Sequence, residues 1–255
     1  MQLAARRVLL QLEVPLGHLF DVKAHQPSAI ASLVDLRLQS VREGVGGSHA
    51  TRTCAICLEQ LFCAYGVMLL VQEAPFQPGA TPTALAADLA GFERLLSNHC
   101  AAGLFASRSK AAARVRAKAM LSLLGSFHAL LERLLRPAAG AANAPPAPDA
   151  AETDAIMAVA TELWMKQHAL TRPVLARLLS KCRVPATRGR RATALLDACE
   201  ARGRQAGSMQ ADAADAASAC AHFFATVAEA LQMGRRKFTI VRLIELQQSA
   251  TRRWE

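Results

Sequence analysis

The sequence predicts an all-α fold, either a multi-helix bundle or a stack of helical hairpins, with about ten helices in two lobes. Strong helix formers dominate the composition, and the chain has only one Tyr and two Trp. Apolar residues recur at three- and four-residue steps through most segments. One run, Cys54 to Val71, is apolar or small at every position except Glu59 and Gln60, so other helices must enclose it.

The first lobe, residues 1–136, is organised around a buried central helix predicted over residues 53–72. A membrane span is the alternative for this segment, but the run is slightly short for a bilayer and Glu59 would lie inside it at a cost of a few kcal/mol. We therefore expect no membrane span. The other helices of this lobe have clear end signals: one ends at Pro15, one runs from Pro27 to Gly44, one opens at Thr81 or Thr83, and the longest runs from Leu104 to Arg136.

Residues 137–150 are rich in Pro and Ala with almost no charge, which predicts a linker between the lobes. The second lobe, residues 151–255, contains several further helical patterns. The last of them, near the carboxyl terminus, is apolar on more than one side, so it packs either within the lobe or against a partner protein. The residues assigned to this partner interface are Phe238, Val241, Ile244 and Trp254.

The chain is strongly basic, with a net charge of +10 and a pI near 9.8. Two zones, residues 94–118 and 166–191, contain no acid and favour contact with a polyanion through counterion release. Few aromatic residues lie among these charges, so contact with a phosphate backbone is expected rather than base stacking. The alternative is a solvated basic surface or pairing with acids of another subunit. The candidate anion-binding residues are Arg108, Lys110, Arg114, Lys118, Arg177, Lys181, Arg183, Arg188, Arg190 and Arg191.

Seven cysteines are an odd number for a disulfide framework and indicate reduced, mostly buried thiols in an intracellular compartment. Cys54 and Cys57 form the one Cys-x-x-Cys pair. Zinc needs four ligands and the pair lacks clearly spaced companions, so core packing is favoured over a metal or redox role. We expect no metal and no cofactor. The amino terminus has two arginines and no acid before Glu13, a composition typical of a mitochondrial presequence, and this makes the mitochondrion an alternative location.

Motifs for nucleophilic, metalloprotease and phosphate-cradling chemistry are missing from the sequence, so a non-enzymatic function is expected. The preferred interpretation is a helical adaptor or scaffold subunit that binds other protein subunits of a larger intracellular assembly. The alternative is an RNA- or DNA-associated protein that binds the phosphate backbone through the two basic zones. The oligomeric state is not indicated.

Overall fold

The computed structural model describes residues 2–11, 27–45, 47–71, 75–101, 108–135 and 172–182, together with scattered positions between 219 and 245. Within this part of the chain 91% of the residues are helical and no strand occurs, which confirms the all-α prediction. The helices bounded there are α1 (Gln2–Gln11), α2 (Pro27–Gly44), α3 (Gly47–Val71), α4 (Ala80–His99), α5 (Arg108–Leu134) and α6 (Arg172–Lys181).

Helix α3 forms the centre of the fold. It begins at Gly47, earlier than residue 53, and the backbone φ of 61° at this glycine lies in the left-handed region that glycine adopts without strain. Most side chains from Cys54 to Val71 are buried. Of the described helices, α3 alone is long and apolar enough to cross a membrane, and 78% of its most apolar window is buried inside the protein. The helices around α3 therefore provide the enclosure that its apolar run requires.

Contacts along α3 show that α5 runs in the same direction. Arg116 of α5 bonds Glu59 of α3. Seven residues further along α3 and eight along α5, the side chain of Leu124 lies 3.0 Å from the position that a Cβ on Gly66 would take. Helices α3 and α5 are therefore parallel and pack side by side over several turns. Glycine at position 66 permits the close approach, because a larger side chain would collide with the facing residues.

Helices α2 and α4 are antiparallel to α3. The thiol of Cys54 lies 3.9 Å from the carbonyl oxygen of Leu38, at the end of a hairpin with a very short connection. The ring of Phe92 in α4 packs on Phe62 with centroids 5.1 Å apart, while Tyr65, three residues further along α3, bonds Asp88, four residues earlier in α4. One end of the bundle therefore holds the carboxyl ends of α2 and α4 and the amino ends of α3 and α5.

The core continues beyond the predicted linker. Val174 and Leu178 of α6, and Phe223 and Val227 further along the chain, belong to the same buried cluster as the side chains of α3. A Cβ placed on Gly66 would lie 2.8 Å from the ring of Phe223. The described residues on both sides of the predicted boundary thus share one hydrophobic core, while residues 137–150 themselves lie outside the described part of the chain.

Candidate functional site

The carboxyl end of α3 is capped by two basic side chains from α6. Arg177 Nε donates to the carbonyl of Leu70 at 2.9 Å, and its Nη2 donates to the carbonyl of Val71 at 3.1 Å. Lys181 Nζ donates to the carbonyl of Leu69. The last carbonyls of a helix lack partners within the helix and form the negative end of its dipole. Arg177 and Lys181, one turn apart on α6, therefore both supply donors to this end, and Arg177 supplies positive charge.

Lys181 is enclosed by the fold. Its side chain is buried, its ammonium lies 4.1 Å from the centre of the Phe76 ring, and its own carbonyl accepts the Phe76 N–H at 3.0 Å. Burial, and then the charge of Arg177, lower the pKa of Lys181 to about 7, whereas the Leu69 carbonyl and the aromatic ring favour the ammonium form. Helix α6 is thereby joined to α3 and to the segment before α4.

We expect Arg177→Ala to lower the free energy of unfolding by about 2 kcal/mol, because two helix-end carbonyls lose a charged donor. Urea denaturation monitored by circular dichroism measures the change. Ser180→Ala, at an exposed position of α6, is the matched control and should change stability little. An Arg177→Ala variant of unchanged stability but weakened polyanion binding would contradict the capping role and return Arg177 to the anion-binding set.

The described members of the first basic zone also make contacts within the fold. Arg114 Nε donates at 2.6 Å to the carbonyl of Cys100, which follows the last turn of α4. Arg116 Nε bonds Glu59 Oε1 at 2.8 Å in a half-buried ion pair. Lys118 is exposed. The first basic zone therefore contributes a helix-end contact, an interhelical ion pair and solvated charge.

Several of the sequence-predicted residues have no described environment. The backbones of Arg108 and Lys110 lie in the first turn of α5, and their side chains fall outside the described part. The remaining anion candidates and the whole predicted partner interface also fall outside it and stay predictions: Arg183, Arg188, Arg190, Arg191, Phe238, Val241, Ile244 and Trp254.

Cys54 and Cys57 lie in the core, as does Cys100 at the end of α4. Burial raises the pKa of Cys54 to about 11 and the pKa values of Cys57 and Cys100 to about 12. These thiols are therefore protonated at neutral pH, whereas nucleophilic attack needs the thiolate. Among the described residues no group of three or more His, Cys, Asp or Glu side chains is arranged to hold a metal ion.

Two polar pairs, one fully buried and one partly buried, join helices, and sequence reasoning missed both. Tyr65 donates its hydroxyl to Asp88 Oδ2 at 2.6 Å, with both residues fully buried between α3 and α4. His99 Nε2 lies 2.6 Å from Asp35 Oδ1 and links α4 to α2. A signal for the first pair was present, because the helical repeat of α4 places Asp88 on the same face as Leu85, Leu89 and Phe92.

No protein-family model, curated protein or solved structure matches this chain. The functional interpretation therefore depends on the side chains of the described residues. Their polar contacts mainly join helices or cap helix ends, which is the chemistry of a framework.

Proposed function

We propose that the protein is a non-catalytic helical adaptor or scaffold subunit that binds other proteins in a larger intracellular assembly. The observation that carries this proposal is a pair of exposed leucines on α2, Leu33 at 41% and Leu36 at 61% exposure. Residues three apart on a helix lie on one face. Leu10, on α1, is also exposed, and α1 packs against α2. Adjacent exposed leucines are unfavourable in water and favourable in an interface with a partner protein.

Polar contacts between the helices support the proposal of a scaffold. The bond between Tyr65 and Asp88 holds α3 to α4, and the pair of His99 and Asp35 holds α4 to α2. The bonds of Arg177 hold α6 to the end of α3. Buried and partly buried polar contacts of this kind fix the relative positions of helices, because breaking one leaves a polar group without its partner inside the fold. A framework fixed in this way presents its outer faces in a constant geometry.

The finer architecture is part of the same proposal. We expect about ten helices in two lobes, with residues 151–255 supplying the helices that complete the set. The packing of Val174 and Phe223 on α3 supports lobes that lie directly against each other. The last helix would add a second partner-binding face through Phe238, Val241, Ile244 and Trp254. The buried, protonated thiols suit a reducing intracellular compartment.

The double variant Leu33→Glu/Leu36→Glu tests the adaptor function. Affinity purification of the tagged protein, with in-cell crosslinking and quantitative mass spectrometry, should show recovery of its partners falling about tenfold or more, because charge enters an apolar interface. The matched control is Ala87→Glu/Ala90→Glu, which places the same charges at exposed positions three apart on α4. Unchanged recovery in the first variant, or an equal loss in both, would contradict a binding face on α2.

Association with RNA or DNA is the second candidate function. The observation that favours it is the concentration of arginines where α2 and α4 end and where α3 and α5 begin. In the second basic zone, the described residues Arg177 and Lys181 donate to carbonyls of α3. The first basic zone therefore supports nucleic-acid binding more strongly than the described part of the second basic zone does.

A further inference from the structure

One end of the bundle collects basic residues from three helices. Helices α2 and α4 are antiparallel to α3, and α5 is parallel to it. The carboxyl ends of α2 and α4 therefore lie at the same end of the bundle as the amino ends of α3 and α5. Arg42 lies in the last turn of α2, while Arg52 and Arg114 lie in the second turns of α3 and α5. The first turn of α5 contains Arg108 and Lys110. We call this surface, formed by Arg42, Arg52, Arg114 and the first turn of α5, the basic end.

Two observations place Arg42 and Arg114 near Cys100. Arg114 bonds the carbonyl of Cys100 at 2.6 Å. Burial raises the pKa of the Cys100 thiol, and the positive charges of Arg114 and Arg42 both offset part of that rise. The charge of Arg42 acts in the same way on Cys54, in the second turn of α3. Helices α2 and α5 thus both bring positive charge to the surroundings of two neighbouring thiols.

Two carboxylates of the described part of the chain lie near this cluster. Glu43, next to Arg42, is exposed, and Asp35 bonds His99, the last residue of α4, whose carboxyl end lies at this end of the bundle. The amino ends of α3 and α5 add partial positive charge, the carboxyl end of α2 adds partial negative charge, and Arg114 neutralises part of the carboxyl end of α4. The basic end therefore carries an excess of positive charge that solvent or an anion must balance.

The chemistry of the basic end favours a phosphate backbone over an acidic protein. Arg42 is exposed, and Arg52 and Arg114 are half-buried, so the guanidinium groups lie at the surface or close to it. Arginine makes bidentate contacts with phosphate. The last two turns of α2 expose no large apolar side chain, whereas a protein interface usually has an apolar centre. The described residues of this end contain no Phe, Tyr or Trp on which unpaired bases could stack.

We propose that the basic end binds the phosphate backbone of double-stranded nucleic acid. The inference deepens the second candidate function and rests on it. It also changes the set of binding residues predicted from sequence. Arg42 and Arg52, which lie in neither acid-free zone, are added to the set. Arg177 and Lys181 are removed from it, because they cap α3. Contact with the backbone alone makes the binding insensitive to base sequence and sensitive to salt.

The test compares the full-length protein with Arg42→Gln/Arg52→Gln in fluorescence anisotropy titrations of labelled duplex RNA and the matching duplex DNA over a range of salt concentrations. We expect binding about tenfold weaker in the variant, with the slope of log affinity against log salt reduced by about 2, because two phosphate contacts are lost. The matched control, Arg94→Gln/Arg242→Gln, removes the same charge from two exposed positions that belong neither to the basic end nor to the candidate anion-binding residues, and it should retain near wild-type binding. Circular dichroism and the melting temperature verify the fold of each variant.

The other outcomes are distinct. A wild-type protein that binds neither duplex would overturn both this inference and the second candidate function. Binding that falls equally in both variants, or only in the control, would overturn the basic end alone and leave nucleic-acid association standing. If polyglutamate displaced the duplexes at matched charge concentration, an acidic protein would replace nucleic acid as the partner and the proposal would fail.

Discussion

Phe223→Ala will lower the free energy of unfolding by about 3 to 5 kcal/mol, the largest change we expect from one substitution in the described core. The Phe223 ring is fully buried, lies 6.1 Å from the ring of Phe127 between centroids, and closes over Gly66. Removing the ring leaves a cavity in the contact between α3 and the carboxyl-terminal part of the chain. Urea denaturation followed by circular dichroism and by tryptophan fluorescence measures the change.

The two probes should give coincident transitions in wild type and variant, because the described residues on both sides of the predicted linker share one core. Two separate transitions, with the first unaffected by Phe223→Ala, would contradict this packing and favour independent lobes. Gly66→Ala supplies a second check. Its new Cβ would lie 2.8 Å from Phe223, so the substitution should cost about 1 to 3 kcal/mol even though alanine is the better helix former.

A double-mutant cycle shows whether those two effects share a cause. Gly66→Ala should be less destabilising when residue 223 is already alanine, because the ring that collides with the new methyl group is gone. The Leu124 side chain, 3.0 Å from the same position, retains part of the cost. Additive effects in the cycle would show that Gly66 and Phe223 do not touch, and would remove the main evidence for packing between α3 and the residues near position 223.

The all-α fold could be predicted because helical periodicity and an apolar run are local properties of the sequence. The run from Cys54 to Val71 is apolar on every side, which favours its enclosure by other helices. The start of α3 at Gly47 could not be predicted from the same pattern. The segment before Thr53 is polar and glycine-containing, and its helical state depends on the packing of the helix that follows.

The roles of the basic residues could not be predicted, because two different uses leave the same pattern. Arg177 and Lys181 are four residues apart on α6, which suits a phosphate as well as the end of another helix. Their acceptors, the carbonyls of Leu70 and Leu69, are more than 100 residues away in the sequence. Only the tertiary contact between α6 and α3 decides between the two. Lys181 did carry a signal, because the helical repeat places it on the same face as Val174 and Leu178.

The pair of Tyr65 and Asp88 predicts a stability that falls as the pH rises. Burial raises the pKa of Asp88 from 3.8 to about 7, although the hydrogen bond from Tyr65 works in the opposite direction. The folded protein therefore holds this proton more tightly than the unfolded chain. The stabilisation is complete below pH 3.8 and is lost progressively as the pH rises through about 7, a total of about 4 kcal/mol.

Asp88→Asn isolates this contribution, because asparagine keeps the size of the side chain and an oxygen acceptor for Tyr65 but does not ionise in this range. Urea denaturation of both proteins at intervals from pH 4 to pH 8 gives the difference in free energy of unfolding. We expect the wild type to lose about 4 kcal/mol relative to the variant across that interval. A difference that stays flat, or that grows in favour of the wild type with rising pH, would show that Asp88 is ionised in the fold throughout.

Tyr65→Phe distinguishes the hydrogen bond from burial. The bond from Tyr65 favours the carboxylate form, so removing the hydroxyl should raise the pKa of Asp88 further and move the loss of stability to higher pH. The ring remains against Phe92, which keeps the packing of α3 on α4. A shift of the pH window in the opposite direction would mean that Tyr65 stabilises the protonated acid. In that arrangement the carboxyl group would be the donor and the tyrosine oxygen the acceptor.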